Sequence, residues 1–120
     1  MKMSRYKKLI ILNVIFTWNN ILYTITNLQG DVLFWSSVGS HKVYKTKKIT
    51  TTSIFLSMKD LKLFLNKNRV RYVFLKLKGF SKHKKTVLTY FKQLHSEVIL
   101  IQECLNLPHN GCKSPKIRRL

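Results

Sequence analysis

The chain has 120 residues with 23 Lys and Arg against four Asp and Glu, so its formal net charge is +19. Its length allows one domain, and an apolar content of 45% excludes a disordered polar chain. Two cysteines are too few for a disulfide framework. A compact body of this charge repels itself unless a polyanion neutralises it, so the candidate partners are RNA, DNA and an anionic membrane surface.

The first apolar run, Leu9 to Thr17, follows a basic arm at residues 1–8. Its outline resembles a secretory signal, but Thr17-Trp18-Asn19-Asn20 offers no small-residue cleavage site. The run is also far short of the roughly 20 residues that span a bilayer. Its continuous apolarity therefore predicts a central β-strand that is covered on both faces.

Two further strands are predicted before residue 38. Ile21 to Leu28 alternates between two faces, and Val32 to Ser36 is mostly apolar. Asn19-Asn20 supplies the first turn, and Gln29-Gly30-Asp31 supplies the second with Gly30 at positive φ. These residues predict a three-stranded antiparallel meander.

The next stretch, residues 38–50, shows no periodicity and predicts a basic loop. Apolar residues then recur at helical spacing from Ile54 to Leu65. This spacing predicts a helix over residues 52–67, with its N-cap among Thr51-Thr52-Ser53.

The second half of the chain predicts a strand, a helix and a strand. Residues 69–78 are the strand, and a second helix follows a Ser81 N-cap and ends near His95. Val98 to Ile101 is a short, fully apolar fifth strand. Strands that follow helices imply crossover connections and parallel pairing, so a mixed five-stranded sheet with two main helices is expected.

The predicted elements divide the chain into three segments. Residues 1–8 form a basic N-terminal arm, residues 9–105 form a single α/β domain, and residues 106–120 form a basic tail. The tail is polar and basic, so we expect it to become ordered only against its partner.

Most of the positive charge lies in four segments that contain no acid. They hold 17 of the 23 cations, namely Lys2, Arg5, Lys7 and Lys8 in the arm, Lys42, Lys45, Lys47 and Lys48 in the loop, Lys76, Lys78, Lys82, Lys84 and Lys85 around a turn, and Lys113, Lys116, Arg118 and Arg119 in the tail. Solvated surfaces usually mix both signs, whereas basic loops and tails are typical of RNA contacts. Lys outnumbers Arg, which favours phosphate contacts and recognition of RNA by shape.

Other chemistry finds little support in the sequence. The four acids are scattered, which disfavours a nucleic-acid enzyme with a two-metal centre. Cys104, His109 and Cys112 match no zinc-site spacing, so neither a metal site nor a cofactor is predicted. Trp18 and Trp35 could stack on bases or pack partly into the core.

Residues 108–120 carry a specific motif beyond their charge. Pro108–Cys112 reads Pro-His-Asn-Gly-Cys and resembles the ending of the S-eleven family of small-subunit ribosomal proteins. Asn19-Asn20 followed by Thr24-Ile25-Thr26 is similar to a hairpin of that family. Gly30–Ser37 resembles the Gly-Asn-x-x-x-Trp strand of the family. Lys78-Gly79 resembles the start of the family's glycine-rich basic turn.

The resemblance implies a three-layer α/β fold of ribonuclease-H-like topology with sheet order 3-2-1-4-5. It also implies a structural, non-enzymatic protein of the small-subunit platform near the messenger RNA exit and the E site, with neighbouring platform proteins, no membrane and no homo-oligomer. Mg²⁺ would enter only as part of the ribosomal RNA. The residues implied to bind that RNA are Lys42, Lys45, Lys47, Lys48, Lys78, Lys82, Lys84, Lys85, His109, Asn110, Gly111, Lys113, Lys116, Arg118 and Arg119.

The chain departs from the family in composition and in one turn. It contains no alanine, and the family's turn after Gly79 has lost its further glycines and has lysines in place of its arginine. Charge retained through such drift indicates an organellar member, in the mitochondrial matrix rather than a plastid. Asn110-Gly111 is a pair prone to isoaspartate formation, which the family resemblance also implies at Asn110. A nucleoid-associated or membrane-surface basic protein is the alternative function.

Overall fold

The computed structural model describes residues 9–41, 50–94, 96–104 and 107–120. A 3₁₀ turn at Val38–His41 lies within the predicted basic loop. The strands and helices in chain order are β1 (Leu9–Phe16), β2 (Ile21–Thr26), β3 (Val32–Ser37), α1 (Thr51–Lys67), β4 (Tyr72–Gly79), α2 (Lys84–Lys92) and β5 (Glu97–Cys104).

The five strands form one sheet in the order β3-β2-β1-β4-β5. β2 pairs antiparallel with both β1 and β3, which makes the predicted meander. β4 pairs parallel with both β1 and β5. The predicted mixed sheet, its strand order and its two helices are confirmed.

One face of the sheet carries the hydrophobic core. The core side chains are Ile10, Leu12, Val14 and Phe16 of β1, Ile21, Tyr23 and Ile25 of β2, Val73, Leu75 and Leu77 of β4, Ile54, Met58, Leu61 and Leu65 of α1, and Val87 and Phe91 of α2, with Val38 and Val70 beside them. Burying one side chain of this size stabilises the fold by about 1.5–3 kcal/mol. The alternation along β1 and the helical spacing in α1 therefore decide which face the helices cover.

The opposite face of the sheet is not covered by either described helix. On it, Leu22 is 37% exposed and Trp35 is 70% exposed, whereas Ile11 and Ile15 are half-buried. Both helices lie on one side because the crossovers from β3 to β4 and from β4 to β5 advance in the same direction along the sheet and share one hand. Within the described residues, β1 is therefore buried on the face that the helices cover and half-buried on the other, where the sequence predicted cover on both faces.

Polar side chains place both helix starts a little away from their predicted positions. Thr50, not Thr51-Thr52-Ser53, caps α1: its Oγ1 accepts from the Ser53 N–H at 3.2 Å, and the Ser53 Oγ accepts from the Thr50 N–H at 2.9 Å. α2 begins at Lys84 and ends at Lys92, because Ser81 forms a turn with His83 instead of capping the helix.

Two strands also differ in length from the prediction. β2 ends at Thr26 because the Asn27 Oδ1 accepts from the N–H groups of Gln29 and Asp31, which closes the turn at Gly30 with φ of 94°. β5 runs from Glu97 to Cys104, longer than Val98 to Ile101, because polar side chains are tolerated on an edge strand.

Candidate nucleic-acid interface

Every strand of the sheet has one end at the same edge, which we call the carboxyl edge. It is formed by the carboxyl ends of β1, β3, β4 and β5 and by the start of β2. Phe16 pairs with Ile21 and with Gly79, which aligns the ends of β1 and β4 with the start of β2. Lys78 pairs with Cys104, which adds the end of β5. Connections that leave adjacent strands at this edge therefore start close together in space although they are far apart in sequence.

Three of the four basic segments come, in the sequence, after strands that end at the carboxyl edge. The turn that contains Lys82 begins where β4 ends, and the tail follows the end of β5. The chain also leaves β3 at this edge and passes through the 3₁₀ turn toward the predicted basic loop. Lys42, Lys45, Lys47 and Lys48 lie outside the described residues. The N-terminal arm also lies outside the described residues; it precedes Leu9 in the sequence, and Leu9 is at the opposite edge of the sheet.

The turn after β4 depends on Gly79. Gly79 has φ of 94°, a left-handed conformation that glycine adopts readily, and a Cβ at this position would lie 2.4 Å from the Phe16 carbonyl oxygen. The chain then continues through Ser81, whose Oγ accepts from the His83 N–H at 3.2 Å. Although the family's other glycines are missing, these contacts give the turn a defined shape.

The lysines of this turn have different surroundings. Lys78, Lys82 and Lys85 are exposed, and no hydrogen bond or ion pair of their side chains is observed among the described residues. Lys84 instead forms an ion pair with Glu103, with Nζ 2.9 Å from Oε1. This pair joins the first turn of α2 to β5, and it is partly exposed, so its contribution to stability is at most about 1 kcal/mol.

The tail is exposed from Leu107 to Leu120 and forms no helix or strand. The predicted site residues His109, Asn110 and Gly111 lie in it, as do the tail cations Lys113, Lys116, Arg118 and Arg119. The left-handed residue of the Asn110-Gly111 pair is Asn110, with φ of 61°. Asn tolerates this conformation because its short polar side chain bonds locally.

Asn20 is a structural determinant of this edge whose contacts sequence reasoning missed. Its side-chain oxygen accepts from the Gly39 N–H at 3.0 Å and from the Ile21 N–H at 2.9 Å. The β1–β2 turn and the start of the loop after β3 are therefore held together. The Asn-Asn pair could have suggested a polar bridge, but no sequence signal identifies Gly39 as the partner.

The acidic residues lie mostly away from the carboxyl edge. Asp31 and Glu97 lie at the opposite edge, Asp60 is on α1, and Glu103 is paired with Lys84. Among the described residues, no three His, Cys, Asp or Glu side chains are grouped so that they could hold a metal ion. None of the described helices is long and apolar enough to cross a membrane.

Fold and site together define a small, strongly basic α/β protein whose exposed Lys78 and Lys82 lie at the carboxyl edge. A model of the ribosomal protein S11 family matches residues 10–119. The chain belongs to this family, and it is a structural protein of the small ribosomal subunit rather than an enzyme.

The similarity to individual family members extends along nearly the whole chain. Identity is 42% to small ribosomal subunit protein uS11m of Chondrus crispus, over 98% of this chain and 100% of that protein. It is 32% to uS11c of Phaeodactylum tricornutum, over 87% of this chain and 80% of that protein. It is 30% to uS11 of Carsonella ruddii, over 98% of this chain and 100% of that protein.

Proposed function

We propose that the carboxyl edge binds small-subunit ribosomal RNA. The observation that carries this proposal is that β4 and β5 end side by side at one edge, where the chain continues from β4 into the lysine-rich turn and from β5 toward the basic tail. The proposed RNA-binding residues are Lys42, Lys45, Lys47, Lys48, Lys78, Lys82, Lys84, Lys85, His109, Asn110, Gly111, Lys113, Lys116, Arg118 and Arg119.

The lysines contribute mainly by neutralising phosphates. Each neutralised phosphate releases condensed counterions, so the affinity falls steeply as salt rises. Lys84 contributes less than Lys82 or Lys85 because Glu103 already balances its charge. The polar residues of the tail, His109 to Gly111, set the position of the backbone on the RNA, and the cations that follow supply affinity.

The proposed place of the protein is the platform of the small subunit, near the messenger RNA exit and the E site. Neighbouring platform proteins are its protein partners, and messenger RNA passes nearby. It acts as one copy per subunit with no cofactor, and Mg²⁺ is present only as part of the ribosomal RNA. The family membership and the basic edge support this placement.

The proposed compartment is the mitochondrial matrix, in the mitochondrial small subunit. This proposal is supported by sequence identity: the chain is 42% identical to uS11m of Chondrus crispus but 32% identical to uS11c of Phaeodactylum tricornutum. The absence of alanine from the chain is consistent with an A+T-rich organellar gene.

Asn110 is also proposed to convert to isoaspartate. Gly111 has no side chain to hinder attack of its backbone nitrogen on the Asn110 amide, and nothing lies within 4 Å of the place where a Gly111 Cβ would be. A peptide map of assembled subunits should show the modified residue. A map in which Asn110 is entirely unmodified would overturn this part of the proposal.

Sedimentation of organelle extracts on a sucrose gradient tests the main proposal. In low salt with Mg²⁺, the protein should migrate with small ribosomal subunits, and ribonuclease treatment should release it. A protein that stays at the top of the gradient, or that migrates with nucleoids or membranes instead, would contradict the proposal and favour the alternative function.

A further inference from the structure

Two aromatic side chains at the carboxyl edge are almost fully exposed. Trp18 is 95% exposed and Phe80 is 94% exposed. Full burial of such a ring would stabilise the fold, so leaving both in water gives up stability. A single exposed aromatic residue is common in proteins and needs no explanation. Two such residues placed close together, however, do need an explanation.

Trp18 and Phe80 lie at the tips of two adjacent connections. β1 and β4 are neighbours, and Phe16 pairs with Gly79. Trp18 follows Phe16 by two residues, and Phe80 directly follows Gly79. The register therefore places both rings just beyond the same end of two adjacent strands.

Both connections are held in shape by their own hydrogen bonds. In the β1–β2 turn, the N–H and the Oγ1 of Thr17 both donate to the Asn20 carbonyl oxygen at 2.9 Å. After β4, Gly79 adopts φ of 94° and the Ser81 Oγ accepts from the His83 N–H. The backbones that carry the two rings are therefore preorganised, which reduces the entropy lost on binding.

We propose that Trp18 and Phe80 form a stacking platform for unpaired bases of the bound RNA. This inference rests on the proposed function and narrows it, because stacking requires bases in a loop, a bulge or a single strand rather than in a duplex. Lys78 and Lys82 flank Phe80 in the sequence and would contact the phosphates of the same nucleotides.

RNA suits this surface better than an apolar pocket on another protein. In the sequence, polar or cationic residues flank both aromatic residues: Thr17 and Asn19 are next to Trp18, and Lys78 and Lys82 are two residues from Phe80. An aromatic residue with lysines close to it in the sequence matches the alternation of bases and phosphates along a single strand. A protein-binding patch would instead be expected to have a contiguous apolar surface around the rings.

Fluorescence provides the first test, because the chain has two tryptophans. Trp35→Phe leaves Trp18 as the sole tryptophan, and Trp18→Phe leaves Trp35. Titration of each full-length variant with a single-stranded RNA of about twelve nucleotides should quench Trp18 emission strongly. A duplex of the same length should bind through its phosphates but quench Trp18 little. Binding of the single strand without quenching of Trp18 would overturn the platform.

Affinity measurements with matched variants provide the second test. Trp18→Ala and Phe80→Ala should each weaken single-strand binding about tenfold, since one base–aromatic stack contributes on that order. The slope of log affinity against log salt should stay unchanged because neither residue is charged. Duplex binding should also be unchanged, and Trp18→Phe should keep most of the affinity. Trp35→Ala removes the same kind of side chain from β3 and is the control.

The outcomes separate this inference from the function on which it rests. If wild type binds both RNAs and the Trp18→Ala and Phe80→Ala variants bind equally well, the platform is wrong and the RNA-binding edge stands. If Trp35→Ala costs as much affinity as Trp18→Ala, the effect is not located at the carboxyl edge and the platform is also wrong. If wild type binds neither RNA, the proposed function fails and the platform fails with it.

Discussion

The side-chain oxygen of Asn20 accepts a hydrogen bond from the backbone N–H of Gly39 at a distance of 3.0 Å. This bond ties the β1–β2 turn to the segment that leaves β3, across 19 residues of sequence. Gly39 approaches closely enough that an added Cβ would lie 3.3 Å from the Asn20 Nδ2. The two connections at the carboxyl edge therefore depend on one amide side chain.

Replacing Asn20 with Ala should lower the free energy of unfolding by about 1–3 kcal/mol. The substitution leaves the N–H groups of Gly39 and Ile21 without their acceptor in a partly buried place. Asn19→Ala is the matched control, because Asn19 is the same residue type, adjacent and exposed. Urea unfolding checks the difference, and equal stability of the two variants would show that the bridge contributes nothing.

Replacing Gly79 with Ala should destabilise the fold more than replacing Gly30 with Ala. Both glycines have φ of 94°, but an added Cβ meets the Phe16 carbonyl oxygen at 2.4 Å at Gly79 and nothing within 4 Å at Gly30. The backbone conformation alone costs about 1–3 kcal/mol, and the collision at Gly79 adds to it. The difference in thermal stability between the two variants measures the destabilisation that the collision causes. Equal losses of stability would contradict the close approach of β4 to β1.

Tyr23 should make the stability of the fold sensitive to alkaline pH. Burial raises the pKa of its hydroxyl from 10.0 to about 12, an effect that the hydrogen bond with Ser57 partly opposes. Since the folded state holds the proton more tightly, this stabilisation is complete below pH 10 and is lost as pH rises toward 12. The loss attributable to Tyr23 is about 2–3 kcal/mol.

Chemical unfolding of wild type and Tyr23→Phe as a function of pH checks this effect. The variant should be less stable than wild type near neutral pH because it lacks the hydrogen bond, and the difference should shrink or reverse above pH 10. The other tyrosines and the lysines titrate in both proteins and cancel in the comparison. A difference that stays constant across this pH range would show that the Tyr23 hydroxyl titrates normally.

Removing the charges of Lys82 and Lys85 should reduce the salt dependence of RNA binding. If each lysine neutralises one phosphate, the double alanine variant should lose about 1.5 from the slope of log affinity against log salt. The control is the double variant that combines Lys59→Ala and Lys62→Ala on α1. Both of these lysines are exposed, and the change in net charge is the same. Equal effects of the two double variants would mean that RNA is attracted by overall charge rather than by the carboxyl edge.

Removing residues 108–120 should leave the domain folded. These residues are exposed, and no hydrogen bond from them to the domain is observed among the described residues. The denaturant midpoint should therefore match that of the full chain, whereas incorporation into small subunits should fall. Loss of cooperative unfolding in the truncated chain would show that the tail belongs to the core.

Elements with strong apolar periodicity could be predicted from the sequence. The predicted bounds of α1 and β1 are close to those observed, because Ile54, Met58, Leu61 and Leu65 can share a face only on a helix. The residue order of the tail identified the family, which composition could not do. The sequence could not show which face of β1 the helices cover, because a continuously apolar strand offers apolar side chains to both sides.

Polar contacts between distant segments could not be predicted. The bond from Gly39 to Asn20 and the ion pair between Lys84 and Glu103 join elements that only the fold brings together. Nor could the sequence decide whether Trp18 is buried, since a turn residue can fold back onto the core or project into water. These features follow from strand register, which local periodicity does not set.

Lysine footprinting in the assembled small subunit tests the RNA-binding edge most directly. Brief acetylation of free protein and of purified subunits, followed by mass spectrometry, compares the reactivity of each lysine in the two states. Lys78, Lys82, Lys85, Lys113 and Lys116 should be strongly protected in the subunit, and ribonuclease digestion should restore their reactivity. If these lysines react as freely in the subunit as in the free protein, the carboxyl edge is not the RNA-binding surface.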